Sequence, residues 1–219
     1  MTHTLITGAE SGLGLALIRV FIAAGSTVTA LCRKTSPALD ALSPDIHQGV
    51  DVTDAFAVGA AAAQIGDKTI DVLINNAGIM IEDNIDSIDI DDIRAQFEVN
   101  ALGPLSVALA FRRHFRRGSK VVNISSRLGS MADNGSGDDY GYRISKAAQN
   151  MLTSNLSIDL ARENVIVAGL HPGIVATSMN GGKGSPADEV AGDLKAVIDK
   201  LDASRNGRFI DRFGNEIPW

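Results

Sequence analysis

Tyr142-Arg143-Ile144-Ser145-Lys146 sets a phenol and an ammonium four residues apart, one turn along a helix and on one face of it. A free phenol titrates near ~10, too high to trade protons readily at neutral pH, and a fixed positive charge nearby lowers that value by stabilising the phenolate. A phenol tuned in this way can protonate a carbonyl oxygen or take the proton from an alcohol. A lone Tyr-x-x-x-Lys is most often an exposed helix turn, so the weight of this reading rests on what the chain sets around it.

The first stretch is a short, β-branched strand, Thr4 to Thr7, followed by Gly8-Ala9-Glu10-Ser11-Gly12-Leu13-Gly14 and a helical apolar pattern from Leu15 to Ala24. Strand, glycine loop and helix in that order make a dinucleotide-binding start. The glycines allow close backbone approach, and the free N–H groups of the helix N-terminus meet a pyrophosphate. The spacing is G-x-x-x-G-x-G rather than G-x-G-x-x-G, and glycine-rich loops also occur as plain turns. A second strand, Thr27 to Cys32, ends in Arg33-Lys34, where an NAD site usually carries Asp or Glu for the ribose hydroxyls. Arg33 can instead clamp a 2′-phosphate with its planar fork, and Lys34 adds a point charge. NADP is therefore expected over NAD.

Further elements follow in alternation. A brief helix spans Pro37 to Leu42, a weak strand Ile46 to Val50, an Ala-rich helix Ala55 to Ile65 and a strand Asp71 to Asn75. Asp51, with Val52 beside it, is placed to reach an adenine edge or, equally, to cap the helix that starts near Asp54. Asn76-Ala77-Gly78 closes the fourth strand, at the position where such sheets open a ligand crevice. An acidic loop, Ile79 to Ile90, leads to helical stretches Asp92 to Val99 and Leu102 to Phe115, interrupted at Asn100. A strand from Lys120 to Ile124 ends in Ser125-Ser126. A long polar loop, Arg127 to Tyr140, precedes the Tyr142 to Ala161 helix, with Ala147, Met151, Leu152 and Leu156 as its apolar stripe. A strand Val165 to Leu170, then His171-Pro172-Gly173-Ile174-Val175-Ala176-Thr177, a mobile lid Asn180 to Ser185, a helix Pro186 to Leu201 and a strand and tail Arg208 to Trp219 complete the chain. This alternation predicts an α/β fold of one domain, doubly wound, with a seven-stranded, mainly parallel sheet and helices on both faces.

Composition removes several function classes. With 219 residues, 45% hydrophobic and 21% charged, the chain can bury a substantial core. A net charge of −6 gives no nucleic-acid signature, and Arg112-Arg113-His114-Phe115-Arg116-Arg117 reads as a helix end, where cations suit the dipole. One cysteine, Cys32, excludes a disulfide framework, and His3, His47, His114 and His171 lack ligand spacing, so no metal is expected. No G-x-S-x-G elbow points to a serine hydrolase. No apolar run is long enough to span a membrane and no signal peptide is legible, so a cytoplasmic protein is expected.

Thr7-Gly8-x-x-x-Gly12-x-Gly14, Asn75-Asn76-Ala77-Gly78, Asn100, Ser126, Tyr142-x-x-x-Lys146 and Pro172-Gly173-x-x-x-Thr177 stand in the order found in short-chain dehydrogenases/reductases, and the chain resembles that family along its whole length. Ser125 to Ser130, Tyr142-Arg143 and the Phe209 to Trp219 ending resemble its C-factor and sniffer carbonyl reductase branch. The resemblance implies an NAD(P)(H)-dependent oxidoreductase interconverting a carbonyl and a secondary alcohol. Ser126 would bond the substrate oxygen, Tyr142 act as general acid or base, Lys146 lower the Tyr142 pKa and hold the nicotinamide ribose, and Asn100 hold a relay water. Gly8, Ser11, Gly12, Leu13, Gly14, Arg33, Lys34, Asp51, Val52, Asn76, Ala77, Gly78, Pro172, Gly173, Val175 and Thr177 would line the cofactor, the last two at its carboxamide. It also implies a homodimer or homotetramer paired through the Leu102 to Phe115 and Tyr142 to Ala161 helices. Two departures stand out: the Ser126 to Tyr142 gap is about three residues longer than usual, and the chain is short between Arg33 and Asp51 and at its C-terminal section. Tyr140 lies nearer the usual distance, but Ile144 stands four residues after it, which leaves Tyr142. The rival reading is a dinucleotide-binding signalling protein of C-factor type, with occupancy rather than turnover as its output.

Overall fold

The structure, a computed structural model, describes residues 2–219. Seven strands, β1 (His3–Thr7), β2 (Thr27–Cys32), β3 (Asp45–Gln48), β4 (Val72–Asn75), β5 (Lys120–Ile124), β6 (Ile166–His171) and β7 (Arg208–Asp211), form one sheet in the order β3-β2-β1-β4-β5-β6-β7. Every neighbouring pair is parallel, β7 included. Each connection must then cross a face of the sheet, and helices supply the crossings: α1 (Gly12–Ala23), α2 (Pro37–Asp40), α3 (Ala55–Gln64), α4 (Ile90–Phe97), α5 (Gly103–Phe111), α6 (Tyr140–Leu160) and α7 (Ala187–Asp199).

Burial on both faces explains why the central strands read as continuous apolar runs. Ile6, Ile74, Val122 and Ala168 point into a core shared with α1 and α7, and their neighbours Leu5, Leu73, Val121 and Val167 into a second core under α3, α5 and α6. The chain direction reverses its order of laying strands between β1 and β4, so the crevice opens at the C-terminal ends of those two strands.

Several expected boundaries shift for physical reasons. The α1 helix begins at Gly12, ahead of its first apolar residue, because glycines carry no periodicity signal. Within the expected strand and tail, Arg208 to Trp219, the strand ends at Asp211, whose carboxylate accepts from the backbone N–H groups of Phe213 and Asn215 and turns the chain. The Asn180 to Ser185 lid is a folded flap: the Asn180 amide donates to the Val175 carbonyl, and Val175 bridges Ser185. The cationic stretch at the end of α5 is a helix end, with Arg112 paired to Glu163 and Arg116 to Asp71. The expected apolar stripe on α6 is buried only in part: Leu156 lies in the core with Leu152 packed against it, and most of the rest of the buried face is polar. Ser145, Lys146, Gln149, Asn150 and Thr153 are buried, while Met151 is exposed together with Ile144 and Ile158. Among the described residues no helix is long and apolar enough to cross a membrane, and no cluster of His, Cys, Asp and Glu could hold a metal ion.

Candidate active site

A cleft of about 910 Å³ runs over the C-terminal ends of the strands, from Gly8 to Leu13 and Arg33 at one end to Tyr142, Lys146 and the 173–180 flap at the other. Its floor depends on close approach. A Cβ on Gly14 would lie 2.0 Å from the Gly8 carbonyl oxygen, so only glycine lets α1 start so near the loop that precedes it. Gly14 thus shapes the cradle without lining it. Thr7 Oγ1 accepts from the N–H groups of Asn76 and Ala77, and the Asn76 amide donates to the Thr7 and Gly8 carbonyls, locking the two loops together. The N-terminal N–H groups of α1 open onto this cradle, which suits a pyrophosphate.

At the far end Arg33 lines the cleft, whereas Lys34 is exposed and stays outside it. Asp51 lines it too, but Asp54 is the residue that caps α3, through the N–H groups of Phe56 and Ala57. The Asp51 carboxylate turns back on the Thr53 N–H and hydroxyl, and those bonds, with Arg33 nearby, hold its pKa below the usual carboxylate range. Glu10 also lines this end, and its buried Oε2 has no protein partner.

The reacting end is assembled by α6. The Ser126 hydroxyl lies close enough to the Tyr142 phenol to lower its pKa, and it accepts from the Leu128 N–H at 3.2 Å. Ser125 Oγ donates to Asn150 Oδ1 at 2.6 Å, and Asn150 Nδ2 donates to the Gly129 carbonyl, which presses the turn after β5 onto the helix. Contact there is tight enough that a Cβ on Gly129 would meet Lys146 backbone and Cβ atoms at 2.8 Å. The extra length between Ser126 and Tyr142 is spent in a surface loop tied down by Arg143, which donates to the Gly137 and Asp138 carbonyls and to Ser136. Tyr140 heads the helix and Tyr142, not Tyr140, lines the cleft.

Electrostatics at this end differ from the simple charge argument. Burial pushes the Tyr142 phenol up to about 12, opposed by the Ser126 hydrogen bond and reinforced by Asp139. Burial pulls Lys146 down to about 7. Lys146 Nζ lies 5.7 Å from the Tyr142 ring centroid and donates to the Ile124 carbonyl at 2.8 Å and to Gln149 Oε1 at 3.0 Å. The ammonium is thus held over the ring, and desolvation is the largest influence on both groups. The phenol is protonated at neutral pH. His171 accepts from the Arg127 N–H through Nδ1, and burial drops its imidazole to about 4, which keeps it neutral.

Asn100 lies behind the lining, fully buried in a one-turn π-helix, Glu98–Leu102. Its Oδ1 accepts from the Ile79 N–H and its Nδ2 donates to the Ile79 carbonyl, each at 2.8 Å, with Ser145 Oγ as a further acceptor at 3.0 Å. Gln96, one turn earlier, holds the N–H and carbonyl of Ile81 in the same way. Two helix amides four apart therefore grip alternate residues of an extended segment. That segment ends at Asp83, whose carboxylate accepts from the N–H groups of Tyr140 and Gly141 and caps α6 from a distance. Neither Gln96 nor Asp83 was singled out in the sequence, where each reads as one more polar residue. Ile79 and Met179 line the cleft, while Ile81 and Met131 do not.

The family model for short chain dehydrogenases matches residues 2–188. The chain is 39% identical to 1-hydroxy-2-glutathionyl-2-methyl-3-butene dehydrogenase of Rhodococcus sp. (strain AD45), with both chains covered in full. It is 40% identical to C-signal of Myxococcus xanthus over 73% of this chain and 99% of that one. The fold superposes on NADPH-bound carbonyl reductase from chicken fatty liver with a TM-score of 0.91 and 30% identity, covering 100% and 99% of the two chains.

Proposed function

This chain is a member of the short chain dehydrogenase family of oxidoreductases, and we propose that it is an NADP-preferring carbonyl reductase of the cytoplasm. The observation that carries the proposal is the meeting of Ser126, Tyr142 and Lys146 in one cleft with the glycine cradle and Arg33. The cradle fits a dinucleotide: Gly8, Ser11, Gly12 and Leu13 would face the pyrophosphate, and Asp51 and Val52 the adenine. Asn76, Ala77 and Gly78 would flank the middle, Tyr142 and Lys146 the nicotinamide ribose, and Pro172, Gly173, Val175 and Thr177 the carboxamide. Arg33 is the residue for a 2′-phosphate, with Lys34 outside the cleft reduced to a distant charge. The NADPH-bound avian reductase supports the same choice.

The cofactor, when bound, supplies the hydride. Ser126 donates to the substrate oxygen, which gains negative charge as the carbon accepts that hydride. Tyr142, protonated at neutral pH, passes its proton to the same oxygen, so the site is set for reduction; oxidation requires the phenol to be emptied first. Proton replacement runs past Lys146. Both amide protons of Asn100 are engaged, so what it offers a relay water is its backbone carbonyl. The residue four places on is Pro104, which has no N–H to take that carbonyl. At the mouth, Glu82, Arg127, Asp133 and Arg143 line the cleft beside Ile174 and Met179. Such a rim suits a carbonyl carrying ionic groups, in line with the glutathionyl alcohol in the name of the Rhodococcus relative. Exposed Leu109 on α5 and Ile144, Met151 and Ile158 on α6 support assembly into a homodimer or homotetramer through these helices.

Calorimetric titration with NADPH and NADH, for the unaltered protein and Arg33→Ala, tests the cofactor. NADPH should bind more tightly, and the substitution should bring the two to near parity. Turnover of a carbonyl panel, abolished by Tyr142→Phe, tests the chemistry. Tight NADPH binding without turnover of any carbonyl would instead support the signalling alternative.

A further inference from the structure

The buried stripe of α6 contains one polar side chain with no task in the chemistry above. Gln149 is fully buried, one turn beyond Lys146, and its Oε1 accepts from Lys146 Nζ at 3.0 Å. The Ile124 carbonyl takes a second ammonium proton at 2.8 Å, which leaves one for the cleft that Lys146 lines. The amide orientation follows from chemistry, since the reverse would set an NH₂ against an NH₃⁺. Its own Nε2 is left without a protein partner. An apolar side chain of the same size would fill this space without burying an unpaired donor, so packing does not account for a glutamine here.

Resting on the oxidoreductase reading, we infer that Gln149 is a positioning residue for Lys146: its amide oxygen favours the charged ammonium and aims it at the cleft where no carboxylate does so. The surroundings fit. On α6 the only titratable group facing Lys146 is Tyr142, and Asp139 at the head of the helix acts on that phenol rather than on the ammonium. From β5, the loop after β4, the π-turn and the turn at 127–129 its neighbours are the Ile124 carbonyl, Gly78, Asn100 and Gly129, all uncharged. Glu10, Arg33 and Asp51 line the far end of the cleft and Glu82, Arg127, Asp133, Arg143 and His171 its mouth, and burial, not any of these charges, is what lowers Lys146.

The test is a ¹³Cε-lysine NMR titration of the cofactor-free protein, with the Lys146 resonance identified by Lys146→Arg. Gln149→Leu should lower the Lys146 midpoint by about one pH unit, a tenfold change in its protonation equilibrium, and Gln149→Glu should raise it by at least as much. Gln149→Met, which keeps the unbranched shape, stands in for Leu if that variant misfolds. With substrate and NADPH, the pH profile of kcat should move in the same opposite senses. Midpoints that do not move, or that move the same way in the apolar and acidic variants, would overturn the inference. So would a loss of kcat with an undisplaced profile, which assigns Gln149 to packing. Absence of turnover in the unaltered protein would count against the carbonyl reductase reading, while the titration would still decide the role of Gln149.

Discussion

Replacing Asp83 by Ala should loosen the helix that carries Tyr142, the proposed proton donor. Asp83 is buried, and its two carboxylate oxygens accept from the Tyr140 N–H at 2.6 Å and the Gly141 N–H at 3.0 Å. No local residue can take over: Asp139, at the cap position, is left-handed with φ 49° and makes no side-chain cap bond. A hydrogen bond to a charged group contributes about 1.5–3 kcal/mol, and a buried N–H left unmade costs about 1–3 kcal/mol. Gly141 is buried and loses its partner outright, whereas water can reach Tyr140 in part, so the two together cost about 3 kcal/mol. The negative charge also leaves the positive end of a 21-residue helix, a further loss of about 0.3–1 kcal/mol. For a chain of this size the two losses together correspond to a fall in Tm of about 7–16 °C. Urea unfolding followed by far-UV circular dichroism and tryptophan fluorescence measures the stability, and carbonyl turnover measures the displacement of Tyr142, one residue beyond the capped pair. Asp83→Asn, which keeps one acceptor and loses the charge, should fall between. A loss below about 1 kcal/mol with unchanged kcat would show that water or Asp139 replaces the cap, and the reasoning would fail.

Three further outcomes follow from the same geometry. Glu10→Gln should raise affinity for NADPH relative to NADH, because a carboxylate with an unpartnered buried oxygen leaves the end of the cleft that Arg33 lines; an unaltered ratio in calorimetry would place Glu10 away from the 2′-position. Gly14→Ala should destabilise the protein by about 1–3 kcal/mol and weaken cofactor binding, since its Cβ cannot sit 2.0 Å from the Gly8 oxygen, and retention of both in thermal melts with and without NADPH would refute that. Lys146 titrates at about 7 when folded and near ~10.4 unfolded, so between those values the unfolded chain binds the extra proton and stability rises with pH. The burial penalty is complete below pH ~7 and relieved by pH ~10.4, so the stability of the unaltered protein minus that of Lys146→Met should climb across that window in urea series; a flat or falling difference would contradict the buried ammonium.

What the sequence made legible was whatever hydrophobic period and local chemistry encode. The strands β1, β2, β4, β5 and β6 are apolar runs between glycine- and polar-rich turns, and Ser126, Tyr142 and Lys146 sit at a strand end and on a helix whose spacings are local. What stayed hidden were pairings between polar groups far apart in the chain. Asp83 caps a helix 57 residues on, and Gln96 holds Ile81 through a contact that no apolar pattern records. The α6 face was legible only in part for the same reason: Leu156 and Leu160 are buried, but the stretch from Ser145 to Thr153 buries polar groups that meet Asn123 and the Gly129 carbonyl, while Met151 faces outward. The direction of the Tyr142 and Lys146 shifts was equally out of reach, since desolvation depends on how deeply the folded chain encloses them.

The segment from Gly78 to Asp83 has no regular secondary structure, yet it behaves as a ruler. Asn100 reads Ile79, Gln96 reads Ile81, and Asp83 must arrive at α6 in phase with both. Adding or removing one residue would turn the wrong backbone groups toward the two amides and carry the cap past its helix. Length variation in this protein and its kin should therefore collect after Asp83, in the 84–88 stretch, and be excluded from the five residues before it. Loop grafting aimed at a new substrate has the same boundary: 84–88 can be exchanged up to the Asp89 cap of α4, whereas 78–83 must keep its count and, at Asp83, its carboxylate.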